Sequence, residues 1–148
     1  MINVIGVHIK VKDFKKSFVF YEALGFKKAF EYGPDKSVSE DYSGVIFEHG
    51  GAKLEIANGH RAVKGLVFKQ SMPSSKISLM IGVSDISEII MNANRAGISI
   101  SVGPRHYYWG TLEVVIKDPD GVVLVFISPY SKEIAKKLKA DESLAQKP

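Results

Sequence analysis

A histidine and a glutamate of this chain are spaced so that both side chains fall on one face of a predicted sheet. His8 stands in residues 4–11, which alternate between apolar and other side chains and therefore predict a strand. Glu55 stands in a second predicted strand, residues 52–57. A glutamate that orients an imidazole turns it into a general base, so the two residues are the candidate catalytic pair. The alternative is a structural polar pair in a partly wet cavity.

Two lysines share those strands and that face. By the two-residue period of a strand, Lys10 lies beside His8 and Lys53 lies beside Glu55. An ammonium group in this position holds a carboxylate or phosphate of a ligand, or else it neutralises Glu55 or reaches solvent. We predict Lys10 and Lys53 as ligand-binding residues.

A second candidate site is a run of five large side chains, residues 105–109, that follows Gly103-Pro104 in a predicted loop at the sheet edge. Aromatic faces bind flat or cationic ligands by stacking and cation–π contact, so Tyr107, Tyr108 and Trp109 are predicted ligand-binding residues. In the alternative, Trp109 packs as a core anchor while the two tyrosines cover a dimer contact.

The elements that position these residues occur twice in the chain. A strand, an aspartate that caps a helix, and a glycine that ends the helix recur in the same spacing, with Asp13 and Gly25 in the first copy and Asp85 and Gly97 in the second. Further strands are predicted in the first copy near residues 26–31, 43–49 and 52–57. The second copy is predicted to contain strands 77–83, 98–102, 111–117 and 122–128, with a helix over 85–96.

This repeat predicts an α+β fold of two tandem βαβββ units that form one pseudo-twofold domain with curved mixed sheets. The predicted domain covers residues 1–130. Its parts are a first unit at 1–57, a linker at 58–75 and a second unit at 76–130. Ser131 is predicted to cap a short helix, and residues 140–148 are predicted to be frayed and solvated.

The composition excludes several classes of function. The absence of cysteine excludes disulfides, thiol catalysis and zinc–thiolate sites. Half of the net charge of +4 lies in residues 131–148, and the rest is spread thinly and forms no basic stripe, so we expect no nucleic-acid partner. No apolar run approaches the roughly 20 residues that span a bilayer, so we expect no membrane partner and a cytoplasmic location.

The ordered motifs resemble those of the vicinal oxygen chelate superfamily, which includes glyoxalase I, bleomycin resistance proteins and extradiol dioxygenases. The resemblance covers residue 4 to about residue 128. It rests on Asp13, Phe20-Tyr21, Leu24-Gly25-Phe26, Trp109-Gly110 and Asp118-Pro119-Asp120-Gly121. It implies a site built between the two copies.

The resemblance also implies where a divalent metal would be held in this chain. The four positions are Gly6, Glu55, Ser78 and Val125, of which only Glu55 carries the side chain of the superfamily's metalloenzymes. We therefore predict no metal site and no cofactor. A shifted metal site that uses His8 and Glu55 is the alternative.

Together these observations favour a metal-free homodimer that binds a small, partly aromatic organic molecule in a concave pocket. The first copy supplies a polar half of the pocket, and Ser78, Met80 and Val125 supply an apolar half from the second copy. Two other functions stay open. One is a metal-dependent lyase, isomerase or dioxygenase with a site around His8 and Glu55, and the other is a structural or regulatory subunit without a ligand.

Overall fold

Each half of the chain repeats one order of elements: a strand, a helix and three strands. The structure, a computed structural model, describes residues 1–73 and 75–148; Ser74, which falls in the predicted linker, lies outside the described residues. The chain divides into two units, Met1–Met72 and Pro73–Pro148. The α+β class and the βαβββ order of each unit are confirmed, whereas the grouping of residues 1–130 into one domain stays a prediction.

The first unit contains a four-stranded sheet, one α-helix and a short 3-10 helix. In chain order its elements are β1 Gly6–Lys10, α1 Phe14–Ala23, β2 Lys28–Tyr32, β3 Gly44–His49, β4 Ala52–Ala57 and the 3-10 helix Gly65–Lys69. The strand order across this sheet, called sheet 1, is β1-β4-β3-β2, with β1 parallel to β4 and the other pairs antiparallel.

The second unit contains a five-stranded sheet and two α-helices. Its elements are β5 Ser78–Gly82, α2 Ile86–Arg95, β6 Val102–Tyr107, β7 Thr111–Lys117, β8 Val123–Pro129, α3 Lys132–Leu138 and β9 Asp141–Leu144. The strand order across this sheet, called sheet 2, is β5-β8-β7-β6-β9. Among the described residues, no helix is both long and apolar enough to cross a membrane.

The predicted caps start the three α-helices. The Asp13 side chain accepts from the Lys16 N–H at 3.0 Å, and the Asp85 side chain accepts from the Ser87 N–H at 2.7 Å. The Ser131 hydroxyl oxygen accepts from the Ile134 N–H at 3.3 Å. Each bond satisfies a backbone donor that the first turn of a helix leaves without an intrahelical partner.

Alternation along the strands separates a buried face from an open face in each sheet. In sheet 1 the buried face carries Ile9, Val45, Phe47, Leu54 and Ile56. Helix α1 lies against β4 and buries Phe20 and Tyr21 in the same unit. In sheet 2 the buried face carries Leu112, Val114, Ile116, Leu124 and Phe126. The alternate residues of each strand therefore lie on the opposite, open face.

Two predictions for the second unit are wrong. The strand predicted over residues 98–102 lies at Val102–Tyr107, so Arg105 to Tyr107 belong to a strand rather than to a loop. The strand accommodates Pro104 in an irregular step of the β6–β7 register between Val102 and Arg105, where a residue without an N–H is tolerated.

The C-terminal residues also differ from the prediction. Instead of a frayed end throughout, Asp141–Leu144 form β9, which pairs in parallel with β6. All four residues of β9 are solvent-exposed, so the solvation was predicted correctly but the pairing was not. No hydrophobic period marks such a strand, because it buries no side chain of its own.

The turn between β7 and β8 depends on one buried carboxyl group. Asp118 is 5 % exposed, and its Oδ1 accepts from the N–H groups of Asp120 at 2.9 Å and Val122 at 2.8 Å. Gly121 supplies the φ of 94° that closes the turn. The side chain thus satisfies two backbone donors of the loop that leads into β8.

We expect Asp118→Ala to lower the free energy of unfolding by about 2 kcal/mol, because it removes the acceptor of two backbone hydrogen bonds. Asp118→Asn keeps an acceptor oxygen of the same shape and should cost less than half as much. Urea denaturation of both variants checks this order. Equal losses would show that the charge, rather than the acceptor geometry, stabilises the turn.

Candidate functional site

The register of sheet 1 brings the predicted catalytic residues together. The parallel β1–β4 pairing makes His8 the partner of Glu55, and the antiparallel pairings continue this row through Ile46 to Phe30. Directly paired residues of neighbouring strands point to the same side of a sheet, so all four side chains share one face, opposite the face that buries Ile9, Phe47 and Ile56. The prediction that His8 and Glu55 share one face is therefore confirmed by the register.

The two side chains do not form the direct hydrogen bond that a general-base pair would need. His8 Nε2 lies 3.9 Å from Glu55 Oε1, beyond hydrogen-bond distance. The Tyr32 hydroxyl donates to the same Oε1 at 2.5 Å. Glu55 is therefore held by a tyrosine from β2, and the three side chains form one cluster, the His8–Glu55–Tyr32 cluster.

Tyr32 is not among the site residues predicted from the sequence. The signal that identifies it is Gly44, a glycine inside a strand and the cross-strand partner of Tyr32. The Tyr32 ring lies over the Gly44 backbone, and a Cβ at Gly44 would overlap the ring carbon that carries the hydroxyl. Gly59 leaves room in the same way for the ring of Tyr42, which packs edge-on against Tyr32.

The electrostatics of the cluster favour a neutral imidazole and a protonated phenol. Burial lowers the pKa of His8 below its usual 6.5, the positive fields of Lys10 and His60 lower it further, and Glu55 opposes them. Burial, followed by the hydrogen bond to the Glu55 carboxylate, raises the pKa of Tyr32. Tyr32 therefore stays a donor at neutral pH, and His8 carries a single ring proton.

His8 also contains a buried polar atom that lacks a partner. Within residues 1–73 and 75–148, Nε2 of His8 is the buried side-chain atom for which the structure offers no hydrogen bond. The His60 ring packs edge-on against the His8 ring with centroids 5.1 Å apart. A buried polar group in this condition costs about 1–3 kcal/mol, so the cluster is not at its most favourable arrangement as it stands.

A shallow depression of about 260 Å³ opens beside the cluster on sheet 1. Its lining residues are Gly6, Val7, His8, Ile46, Lys53 and Glu55. The predicted ligand-binding Lys53 is among them. Lys10 is not, because its Nζ is turned back and donates to the backbone oxygen of His8 at 3.2 Å.

The open face of sheet 2 is apolar where that of sheet 1 is polar. Met80 pairs with Val125, and the row continues through Val115 to Val102. Met80 is 79 % exposed. The predicted ligand-binding residues Ser78, Met80 and Val125 thus share one face of their own unit, and their contact with a ligand stays a prediction.

The predicted aromatic residues form a hairpin at the end of β6. The rings of Tyr107 and Trp109 stack with centroids 4.5 Å apart, and Tyr108 meets Trp109 edge-on. Trp109 is 56 % exposed, so it is not the core anchor of the alternative interpretation. The indole therefore stays more than half exposed beside the tyrosine stack.

The C-terminal strand fixes this hairpin. Arg105 pairs with Asp141 at 3.2 Å, and His106 Nδ1 meets Glu142 Oε2 at 2.6 Å. Tyr108 N–H donates to the Leu144 oxygen at 2.9 Å, which is the last backbone bond before the turn. The tail is thus bonded to the hairpin that carries the aromatic rings, a contact that no sequence motif predicts.

The family follows from a comparison over most of the chain. A model described as the Glyoxalase/Bleomycin resistance protein/Dioxygenase superfamily matches residues 2–126. The chain belongs to this superfamily. The resemblance inferred from the ordered motifs is confirmed, and it covers both βαβββ units. No curated protein matches the chain closely enough to count as a relative.

Solved structures of the superfamily show the same fold. A member from Sphaerobacter thermophilus is 25% identical, with 86% of this chain and 98% of that chain covered and a TM-score of 0.60. A bleomycin resistance determinant encoded on the transposon Tn5 is 24% identical over 88% of this chain and 100% of that chain, with a TM-score of 0.57. The fosfomycin resistance protein FosX from Mesorhizobium loti is 13% identical over 90% and 97%, with a TM-score of 0.64.

The residues of this chain do not fit the metal ion of the superfamily's metalloenzymes. Of the four corresponding positions, Gly6 and Val125 have no donor atom, and Ser78 offers a neutral hydroxyl. Glu55 Oε1 already accepts from Tyr32. Among the described residues, no three His, Cys, Asp or Glu side chains lie close enough together to bind one metal ion.

We expect protonation of His8 to destabilise the folded protein. Because the folded-state pKa lies below 6.5, the contribution of neutral His8 is fully present above 6.5 and is lost as the pH falls toward the folded-state value. The stability advantage of wild type over His8→Gln should therefore shrink between about pH 7.5 and about pH 5.5. Urea denaturation of both proteins across this range measures it. Parallel curves would contradict the burial of a neutral imidazole.

Removal of residues 141–148 should loosen the aromatic hairpin, because Tyr108 loses the carbonyl of Leu144. Trp109 is the single tryptophan, so its emission should shift to longer wavelength and its fluorescence anisotropy should fall. Glu142→Gln should do the same more weakly, since an exposed pair is worth at most about 1 kcal/mol. Glu133→Gln on the exposed side of α3 is the matched control. Unchanged emission in the truncated protein would contradict the positioning role.

Proposed function

We propose that this superfamily member is a metal-free protein that binds a small, partly aromatic organic molecule on the open face of sheet 1. The proposal rests on the surroundings of Glu55, which is the one acidic residue at the superfamily's metal positions. Its carboxylate is held by the Tyr32 hydroxyl and lines a depression instead of facing further metal ligands.

The chemistry of the depression suits an amphipathic organic ligand. Val7 and Ile46 give it apolar surface, while His8, Glu55 and Lys53 give it convergent polar groups. Ligand sites of small molecules combine these two features, with a few polar groups that fix orientation. Phe30 continues the same row of side chains at the outer strand and extends the apolar surface.

The exposed indole of Trp109 is proposed as a separate ligand-binding surface within the second unit. Its stacking on Tyr107 stiffens the ring pair, which lowers the entropy lost when a flat molecule stacks on it. The bleomycin resistance determinant supports a binding role only by shared fold, because its identity to this chain is 24%.

A metal-dependent lyase, isomerase or dioxygenase is the second candidate function, and one distance favours it. Two donors separated by 3.9 Å, as His8 Nε2 and Glu55 Oε1 are, can both reach one ion at about 2.1 Å from each. A FosX from Listeria monocytogenes was solved with Mn(II) and 1S,2S-dihydroxypropylphosphonic acid, at 12% identity to this chain. Two protein ligands alone hold an ion weakly, so this function ranks second.

We also propose that the protein is a homodimer. The apolar row of sheet 2 supports this, because Met80 at 79 % exposure would otherwise stay in water. Light scattering on the purified protein measures the mass, and Met80→Lys should increase the monomer fraction. A monomeric wild type would remove this part of the proposal.

Elemental analysis of protein purified without chelator, followed by melting curves with nickel, zinc, manganese and iron(II), tests the proposed function. We expect less than stoichiometric metal and no rise in Tm with any ion. Bound metal, or a rise of several degrees that is lost in His8→Ala and Glu55→Ala, would establish the metal-dependent alternative. Val19→Ala, an exposed change on α1, is the control for nonspecific effects.

A further inference from the structure

We propose that the depression on sheet 1 recognises a hydroxyl group of the ligand, which binds between His8 Nε2 and Glu55 Oε1. This inference rests on the proposed small-molecule site and names the chemical class that the site selects. It starts from an atom without a partner: Nε2 of His8 is buried and makes no hydrogen bond in the part of the chain that the structure describes.

The distance between the two atoms fits a single bridging oxygen. An oxygen at about 2.8 Å from each atom can stand between them whenever they are less than about 5.6 Å apart. The observed separation is 3.9 Å. Direct contact of the two side chains is prevented because Glu55 is held toward Tyr32, which lies on the outer strand of the sheet.

The charges around the two atoms select a hydroxyl over other polar groups. A ligand carboxylate or phosphate would place a second anion against the Glu55 carboxylate. A ligand ammonium would meet the positive field of Lys10, which already acts on His8, and of Lys53 in the lining of the depression. A hydroxyl carries no charge and has both a proton and lone pairs.

The hydrogen bonds of the bridged arrangement balance. With its ring proton on Nε2, neutral His8 donates to the hydroxyl oxygen, and the hydroxyl donates its own proton to Glu55 Oε1. Tyr32 acts as a positioning residue, because its hydrogen bond keeps the carboxylate oxygen in place without contact to the ligand. No proton is transferred, so the arrangement accounts for binding and not for catalysis.

Because Nε2 is buried, a neighbouring side chain must move aside for the hydroxyl to reach it, and we assign this covering role to the His60 ring. The His60 ring packs edge-on against the His8 ring. Residues 58–64 are fastened by the Ser43 N–H bond to Asn58 Oδ1 at 2.9 Å and by the Arg61–Glu40 ion pair. The Arg61 side chain is 74 % exposed, and an ion pair this exposed to water is weak.

Phenol and anisole, which differ only in the hydroxyl proton and a methyl group, test the inference. Long-range ¹H–¹⁵N spectra of labelled protein report the His8 ring nitrogens directly. We expect phenol to shift the Nε2 resonance of wild-type protein and anisole to leave it in place. This comparison needs no variant, so it does not depend on whether a substituted protein folds.

Variants then separate the hydroxyl inference from the proposed function. Glu55→Gln should weaken phenol binding about tenfold or more, because it removes the charge from the acceptor. Glu48→Gln, the same substitution on the open face of β3 but outside the depression, should have no effect. His60→Ala should preserve or strengthen phenol binding, because its ring covers the site.

The other outcomes overturn the inference in distinguishable ways. Equal binding of phenol and anisole, unaffected by Glu55→Gln, would leave the small-molecule function standing and remove the hydroxyl site. Absence of binding by both would overturn the inference together with the proposed function for aromatic ligands. Loss of phenol binding in His60→Ala would overturn the covering role and make His60 a ligand contact.

Discussion

The parallel pairing of the first and last strand of each unit determines which side chains can work together. In sheet 1 this pairing sets Gly6 opposite Lys53 and His8 opposite Glu55. A shift of β1 by one residue would send His8 into the buried face of the sheet, so the buried alternation of β1 preserves the pairing with Glu55. The core therefore stabilises the fold and also fixes the chemistry of the open face.

Two effects act in opposite directions on the pKa of His8 in the cluster on that face. Burial disfavours a charged imidazole at His8, whereas Glu55 favours one, and burial has the larger effect. The Glu55 side chain accepts a hydrogen bond from the Tyr32 hydroxyl, which holds it toward β2. The ring of Tyr32 in turn needs the bare backbone of Gly44 beneath it. Gly44 thus makes room for the tyrosine whose hydroxyl donates to Glu55.

The sequence sufficed for the fold class, the helix caps and the shared face of His8 and Glu55, because these follow from local periodicity. The position of β6 was wrong, since an irregular register step tolerates Pro104 and no local rule reveals such a step. Strand β9 was missed because it pairs through its backbone and buries no apolar face. The bond from Tyr32 to Glu55 joins residues on different strands, and only the register of three strands together shows it.

The two units use one register for two different surfaces. In sheet 2 the pair that corresponds to His8 and Glu55 is Met80 and Val125, joined by the same parallel pairing. The backbone therefore permits either a polar or an apolar pair at this position, and the side chains alone decide between them. Apolar side chains require no hydrogen-bond partners, whereas His8 Nε2 has none among the described residues. The polar pair therefore carries the cost of an unsatisfied buried nitrogen, and a bound hydroxyl that satisfies this nitrogen would recover part of that cost as binding free energy.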